Sequence, residues 1–196
     1  MRLVVATRNE HKLRELRALL RDHELVPLPP RVELPPETGA TFAENARLKA
    51  RAAATATGQP AIADDSGIEA AALGGRPGVR SARFAGEGAT DAENLARLLR
   101  EVPLEGDRRV SCVCVLVYAG PGGHEELFEG TCTGTLAVEP RGRGGFGYDP
   151  AFVPDDVPDG RTMAELAPAE KDAVSHRGRA GRMLAEWLEA ARAPAR

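Results

Sequence analysis

Apolar and polar positions along this chain follow two periods, and the switches between them outline strands and helices. Leu3-Val4-Val5-Ala6 is a continuous apolar run of the kind that makes a buried strand. It stops at Thr7-Arg8-Asn9-Glu10, where Thr followed three residues later by Glu has the form of a capping box. The helix predicted next places Leu13, Leu16, Leu19 and Leu20 on one face. Pro27 to Gly39 is proline-rich and predicts an extended connection in which Val32 and Leu34 pack. Thr41 to Glu44 has the form of a second box and opens an alanine-rich helix that Gly58 and Pro60 end near Thr57. Ala61-Ile62-Ala63 predicts a short strand running into Asp64-Asp65-Ser66-Gly67. A glycine-rich loop spans Leu73 to Gly78, and Thr90 to Glu93 opens a helix with Leu95, Leu98 and Leu99 inward.

Further on the pattern becomes strand-like. Val110 to Tyr118 reads as a strand and Gly120-Pro121-Gly122-Gly123 as a turn. Glu125 to Val138 supplies one or two returning strands. A second glycine-rich loop, Arg141 to Gly147, precedes Tyr148-Asp149-Pro150 and the apolar Ala151-Phe152-Val153. The chain ends in helix from about Pro168, striped by Met183, Leu184, Trp187 and Leu188, with Ser175 and Gly178 as breaks. Strands alternating with helices, then pairing as a meander, predict an α/β fold with a mixed sheet flanked by helices. No repeat and no long linker divides the chain, so residues 1–196 read as a single domain.

Composition narrows the function classes. With 42% hydrophobic residues in 196, the chain can build a real core. A net charge of -3 argues against a broad grip on nucleic acid, which a basic domain would show. A few local Arg and Lys can still hold a small anion. Cys112, Cys114 and Cys132 are odd in number and lack CxxC spacing, so all three are expected to be reduced strand residues. No signal-peptide pattern and no apolar run of membrane-span length is visible, which makes the cytoplasm the expected compartment and a membrane an unexpected partner.

Four places carry candidate chemistry. The turn holding Thr7, Asn9 and Lys12 leads into a helix N-terminus, whose free N–H groups and positive dipole suit phosphates. Lys12 in that first turn is disfavoured by the dipole, a penalty that a bound polyphosphate reverses. The turn lacks the glycines of a P-loop or a Rossmann fingerprint. Glu44 either bonds its own helix's N-cap amide or serves as a carboxylate ligand for Mg2+ at a phosphate site. Asp64 and Asp65 are adjacent acids after an apolar strand, and their desolvation and repulsion need a cation or hydrogen bonds to offset them. Neighbours on an extended chain point to opposite sides, so one of the two at most faces a given site unless a turn rotates them. The spacing is not that of a haloacid-dehalogenase phosphatase, which has one residue between its two Asp. The fourth place is Lys171 with Ser175-His176-Arg177. No GxSxG elbow makes Ser66 or Ser175 a nucleophile.

In order, ATRN-x-x-K, TFAENA-x-x-KA, ADDSG, GGRPG-x-x-SARFAG, GGFGYDP-x-F, and T-x-AEL followed by EK and SHRG resemble the inosine triphosphate pyrophosphatase family, also called the XTP/dITP diphosphatases. The resemblance runs from about Leu3 to Trp187. It implies an α/β fold with a long central sheet and two lobes around a deep nucleotide-binding cleft, a homodimer and a magnesium requirement. It implies hydrolysis of ITP, dITP, XTP and dXTP to the monophosphate and pyrophosphate, which cleanses the nucleotide pool. Carried over by motif, Thr7, Arg8, Asn9, Glu10, His11 and Lys12 hold the triphosphate. Glu44 and Asp65 sit at the metal, Asp65 activates water, and Ser66 contacts substrate. Phe146, Gly147, Tyr148, Asp149, Lys171, His176 and Arg177 line the nucleotide and base pocket, and Asp64 is a supporting acid. Arg8 departs from the Gly or Asn of some members and is expected to add a phosphate contact. Two other readings compete. One is a related enzyme of the septum-inhibition type acting on modified pyrimidine or methylated nucleotides. The other is a non-catalytic nucleotide-binding regulator, which has no need of a water-activating acid.

Overall fold

The computed structural model describes residues 1–192. A six-stranded sheet runs in the order β2-β1-β3-β4-β5-β6, with β1 at Arg2–Val5, β2 at Glu24–Pro27, β3 at Ala61–Ala70, β4 at Arg109–Ala119, β5 at Glu125–Leu136 and β6 at Phe152–Pro154. Strand β1 pairs in parallel with both β2 and β3, whereas β5 and β6 are antiparallel, so the sheet is mixed. The helices are α1 at Glu10–Leu19, α2 at Phe42–Thr57, α3 at Asp91–Glu101, α4 at Pro168–Val174 and α5 at His176–Arg192.

Contacts gather the chain into two compact units. The first takes Met1–Asp65, Cys114–Gly130 and, of the described residues, 177–192. Its core joins Leu3 and Val5 of β1, Leu16 of α1, Ile62 of β3, Leu116 of β4, and Leu184 and Leu188 of α5. The second takes Ser66–Val113 and Thr131–His176. It is built on Ile68 of β3, Leu98 of α3, Cys132 and Leu136 of β5, Phe152 of β6, and Met163. Each such side chain, fully buried, contributes roughly 1.5–3 kcal/mol of transfer free energy. All three cysteines are thiols outside any disulfide and buried in strands, as expected.

Several local expectations change. The cap of α1 is Asn9, whose Oδ1 accepts from the amides of His11 and Lys12 at 2.9 and 3.2 Å, while Thr7 Oγ1 accepts from Asn9 N. Asn caps as well as Thr does, and the extended backbone at Asn9 puts its short amide in reach of the first turn. Thr41 does cap α2, but the Glu44 carboxylate accepts from Ala40 N at 2.6 Å rather than from the cap residue. Thr90 and Glu93 form the full reciprocal box. The aspartate pair lies inside the ten-residue strand β3, not in a turn after it. Strand β2 went unforeseen because four residues ending in proline carry little periodicity. The C-terminal helix breaks at Ser175, whose extended ψ of 155° stops the helix, while Gly178 stays within α5. Met183 is 39% exposed and lies off the buried stripe.

Candidate active site

In the first unit the two aspartates of β3 face different surroundings, as alternation along a strand requires. Asp64 is 1% exposed. Its Oδ2 meets Lys12 Nζ at 2.9 Å and accepts from Arg177 Nη2 at 3.0 Å. Arg177, itself 2% exposed, also donates through Nη1 to Glu15 Oε2 at 2.7 Å. Burial alone would push the Asp64 carboxyl up, but the charges of Lys12, Arg177 and Lys49 together hold it far below the usual carboxylate range. The same carboxylates keep the buried Arg177 firmly protonated against its desolvation.

Asp65 has weaker support. Its Oδ2 accepts from Asn45 Nδ2 at 3.0 Å, and Lys49 Nζ is 3.6 Å from Oδ1. The Lys49 ammonium is closer to Glu37, at 2.5 Å. Burial pushes the Asp65 carboxyl up, and neighbouring Glu37 adds to this; Lys49 and Asn45 only partly oppose it. The Asn45 amide is oriented, because its Oδ1 accepts from Gly39 N at 2.8 Å and leaves Nδ2 for Asp65. A Cβ at Gly39 would come within 2.7 Å of that Oδ1, so the close approach needs glycine. Asn45 and Lys49 were part of the helix motif but had no assigned role. Their signal was the i,i+4 spacing, which puts both on the α2 face turned to Asp65.

Glu44, the residue before Asn45, is exposed at the N-terminus of α2. Among the described residues no group of three or more His, Cys, Asp or Glu side chains converges on one point. The donors to hand are hard carboxylate oxygens, one on Asp65 and one on Glu44. They match a cation such as Mg2+ that takes one or two carboxylates and completes its shell with phosphate oxygens and water.

Arg8 requires a correction. Its guanidinium donates to the carbonyls of Leu28, Pro29, Pro30 and Val32 at 2.8 to 3.3 Å, so it ties down the proline-rich connection and is not a spare phosphate donor. Proline-rich backbone has carbonyls that no strand or helix uses, and Arg, with its five N–H donors, collects them. Glu10 and His11 are exposed in the first turn of α1, where the His11 ring meets Arg14 Nη2 at 3.1 Å.

The second unit gathers another set. Asp149 is buried, and its Oδ2 accepts from Phe146 N at 2.8 Å and from Lys171 Nζ at 2.5 Å. The Lys171 ammonium lies 4.9 Å from the centre of the Phe146 ring. A Cβ on Gly145 would fall 2.0 Å from Asp149 Oδ2, so glycine there lets the loop close over the carboxylate. Gly147 N donates to Asp91 Oδ2 at 2.8 Å. Tyr148 is committed elsewhere: its hydroxyl donates to Ser81 O at 2.8 Å, and burial pushes the phenol well up. Of the two aromatics expected to face a base, Phe146 is the one beside a cation. Ser66 is half-buried at the start of this unit, and half-buried His176 opens α5. Arg177, expected beside His176 at the base edge, is instead the buried counter-ion of Asp64 and Glu15.

The family model for the Ham1 family matches residues 3–187. The chain belongs to the Ham1 family. A dITP/XTP pyrophosphatase of Geobacillus kaustophilus is 50% identical over 196 residues, a match covering 95% of this chain and 94% of that protein. One from Mycolicibacterium paratuberculosis is 52% identical and covers 95% of each. A HAM1 protein from Coxiella burnetii superposes with a TM-score of 0.88 at 43% identity, covering 97% of this chain and 99% of that one. The Staphylococcus aureus Ham1 protein gives 0.86 at 40% identity, covering 98% and 100%. Among the described residues of this Ham1 protein no helix is long and apolar enough to cross a membrane.

Proposed function

We propose that this Ham1 protein hydrolyses nucleoside triphosphates carrying non-standard purines (ITP, dITP, XTP and dXTP) between the α and β phosphates, releasing the monophosphate and pyrophosphate. The observation that carries the reading is the divided aspartate pair: Asp64 is locked to the phosphate-turn lysine, and Asp65 is a buried carboxylate short of cations. Two acids pushed in opposite directions are the usual sign of distinct roles in one reaction. The substrate class follows from the names of relatives about half identical over nearly the whole chain.

In this reading Asp65 orients a water and takes its proton as the oxygen attacks the α phosphorus. The amide of Asn45 fixes one carboxylate oxygen, which leaves the two lone pairs of the other for the water and the cation. Lys12 has three N–H donors and spends one on Asp64, so the others can meet the leaving pyrophosphate beside the N-terminus of α1. Asp65 and Glu44, together with the phosphates, would hold Mg2+, which would neutralise charge gathering on that leaving group. Ser66 contacts substrate. Phe146 offers its ring to the base, and Asp149 holds Lys171 against that ring. His176 donates to the 6-keto oxygen. A 6-amino base would leave such a donor unpaired, which costs about 1–3 kcal/mol for each buried group and disfavours ATP. Arg177 acts on Asp64 rather than on the base. The enzyme works as a homodimer, a state that light scattering reads directly.

The test is pyrophosphate release from ITP, XTP, dITP, GTP, ATP, dUTP and a methylated nucleotide. Preference for the first three supports the proposal. Preference for dUTP or the methylated nucleotide selects the septum-inhibition type, and binding of ITP without turnover makes the protein a regulator.

A further inference from the structure

The second unit carries a pocket for which the reaction above has no use. Its volume is 280 Å3, and four of its lining residues are Arg76, Arg80, Arg83 and Arg97. The rest of the lining, including Phe84 and Gly86, is uncharged. Clustered guanidinium groups repel one another, and solvation and counter-charges must offset that cost. Two carboxylates that pair with these arginines stand outside the lining. Glu101 is 2.7 Å from Arg97 Nε and 3.7 Å from Arg76 Nη1, and Glu87 is 3.5 Å from Arg83 Nε but 89% exposed. Arg80 makes no ion pair among the described residues. Four guanidinium groups therefore share one pocket whose own lining holds no carboxylate.

The pocket is also built. Arg80 and Arg83 project from the 3-10 turn Gly78–Arg83. Asn94 of α3, 2% exposed, clamps the chain that follows: its Nδ2 donates to Ala82 O at 3.1 Å and its Oδ1 accepts from Ala85 N at 2.7 Å. Arg97 lies 4.5 Å over the Phe84 ring and also donates to the Phe84 carbonyl. These contacts fix the loop and one guanidinium before any ligand arrives, which lowers the entropic cost of binding.

We propose that this pocket is a second anion site, selective for a compact phosphate group carrying two negative charges. The planar guanidinium fork matches the paired oxygens of phosphate, and four lining cations favour a dianion over a monoanion such as chloride. The group can come from free orthophosphate or pyrophosphate, or from the phosphate end of a nucleotide whose remainder projects into solvent. The site is independent of the hydrolytic reading, since none of its residues takes part in that mechanism.

The test uses the whole protein, with the Nε–H resonances of Arg80, Arg83 and Arg97 followed by 15N NMR during separate titrations with orthophosphate, pyrophosphate and inosine monophosphate. Chloride at matched ionic strength is the control. Because the readout sits on the pocket's own arginines, phosphate bound elsewhere does not register, and the outcome does not depend on whether the protein hydrolyses ITP. A saturable shift with orthophosphate or pyrophosphate, absent with chloride, is expected and assigns the free ion as source. Saturation with inosine monophosphate alone keeps the site and assigns the nucleotide phosphate. Arg80→Gln, at an exposed residue with no ion pair among the described residues, should weaken binding ~10- to 100-fold, the worth of one charge-assisted hydrogen bond. Arg83→Gln should weaken it by a similar factor. Shifts that merely track ionic strength, or unchanged affinity in both variants, would overturn the proposal.

Discussion

The two faces of β3 at Asp64 and Asp65 differ more than their adjacency suggests. On one face a carboxylate meets two cations within 3.0 Å, buried Arg177 and half-buried Lys12. On the other a carboxylate has one amide and an ammonium 3.6 Å away that is pulled toward Glu37. A strand makes this division cheaply, because it sends consecutive side chains to opposite sides without any turn. Saturated charge gives a fixed anchor, and unsaturated charge gives a group with reason to bind a proton, a metal or a water. Stability should therefore depend on Asp64 and reactivity on Asp65.

The sharpest break of this division is a swap of each acid for its amide. Asp65→Asn should cut kcat by roughly 10²–10⁴, the usual worth of a general base, and keep nucleotide binding. Its Tm should hold or rise. Folding raises the Asp65 pKa, so over the range between the unfolded and folded values the native state holds the proton more tightly and stability falls as pH rises. Asparagine removes that cost. Undiminished turnover in this variant would move the base elsewhere, with Asp64 next in line.

Asp64→Asn should do the reverse and cost stability first, about 3–5 kcal/mol, since it takes from buried Arg177 and from Lys12 a carboxylate they share and leaves Arg177 its bond to Glu15. Urea denaturation measures this. The sign at Asp64 is opposite to that at Asp65. Its folded pKa lies far below the unfolded value of about 3.9, so its contribution is full above that value and fades as pH falls beneath it. The wild type should thus lose stability below pH ~4 more steeply than Asp64→Asn does. Parallel acid profiles would deny Asp64 its anchoring role.

Arg177→Ala sharpens the comparison on the same face. It should lower stability and kcat/KM for ITP and ATP by similar factors, leaving their ratio unchanged, because the guanidinium is engaged by Glu15 and Asp64. A ratio that shrinks toward unity in the folded variant would return Arg177 to the base pocket. On the Asp65 face, Mg2+ alone should shift Tm by under a degree. Together with a non-hydrolysable ITP analogue it should raise Tm by several degrees, since the proposed pair Asp65 and Glu44, with Lys49 3.6 Å from Asp65, would not hold the cation without phosphate oxygens.

Much of this was legible in the sequence because it depends on local pattern. The apolar run of β1, the box at Thr90 and the stop at Gly58 are each set by residues next to one another. The opposite orientation of the aspartates followed from strand alternation alone. What stayed hidden depends on partners far along the chain. Asp64 and Arg177 are 113 residues apart and Arg177 and Glu15 162, and no spacing rule pairs them. Hence Arg177 was expected at the base edge. Arg8 misled for the same reason, since its four carbonyl partners lie about twenty residues on and offer no side-chain signal. Asn45 and Lys49 were within reach, because a one-turn spacing on α2 put them on a common face.

The smallest expected effect is a silence, and it probes the Asp64 face directly. Cys114 of β4 is fully buried in the first unit. Burial pushes its thiol up to about 12; Asp64 adds to the rise and Arg177 opposes it. At pH 8 the thiolate fraction is then on the order of 10⁻⁴, against roughly a quarter for an ordinary thiol near 8.5, and the reagent has no path to it besides. Ellman's reagent should therefore find almost no reactive thiol in the native wild type, and three on denaturation. Labelling of Cys114, resolved by peptide mass analysis, then requires the unit to open. If Asp64 anchors this face, Asp64→Asn should speed Cys114 labelling by the factor by which it shifts the urea equilibrium, while Cys112 and Cys132 of the second unit report whether that unit opens with it. Fast labelling of Cys114 in the intact wild type would show that the buried charge network does not hold this face closed.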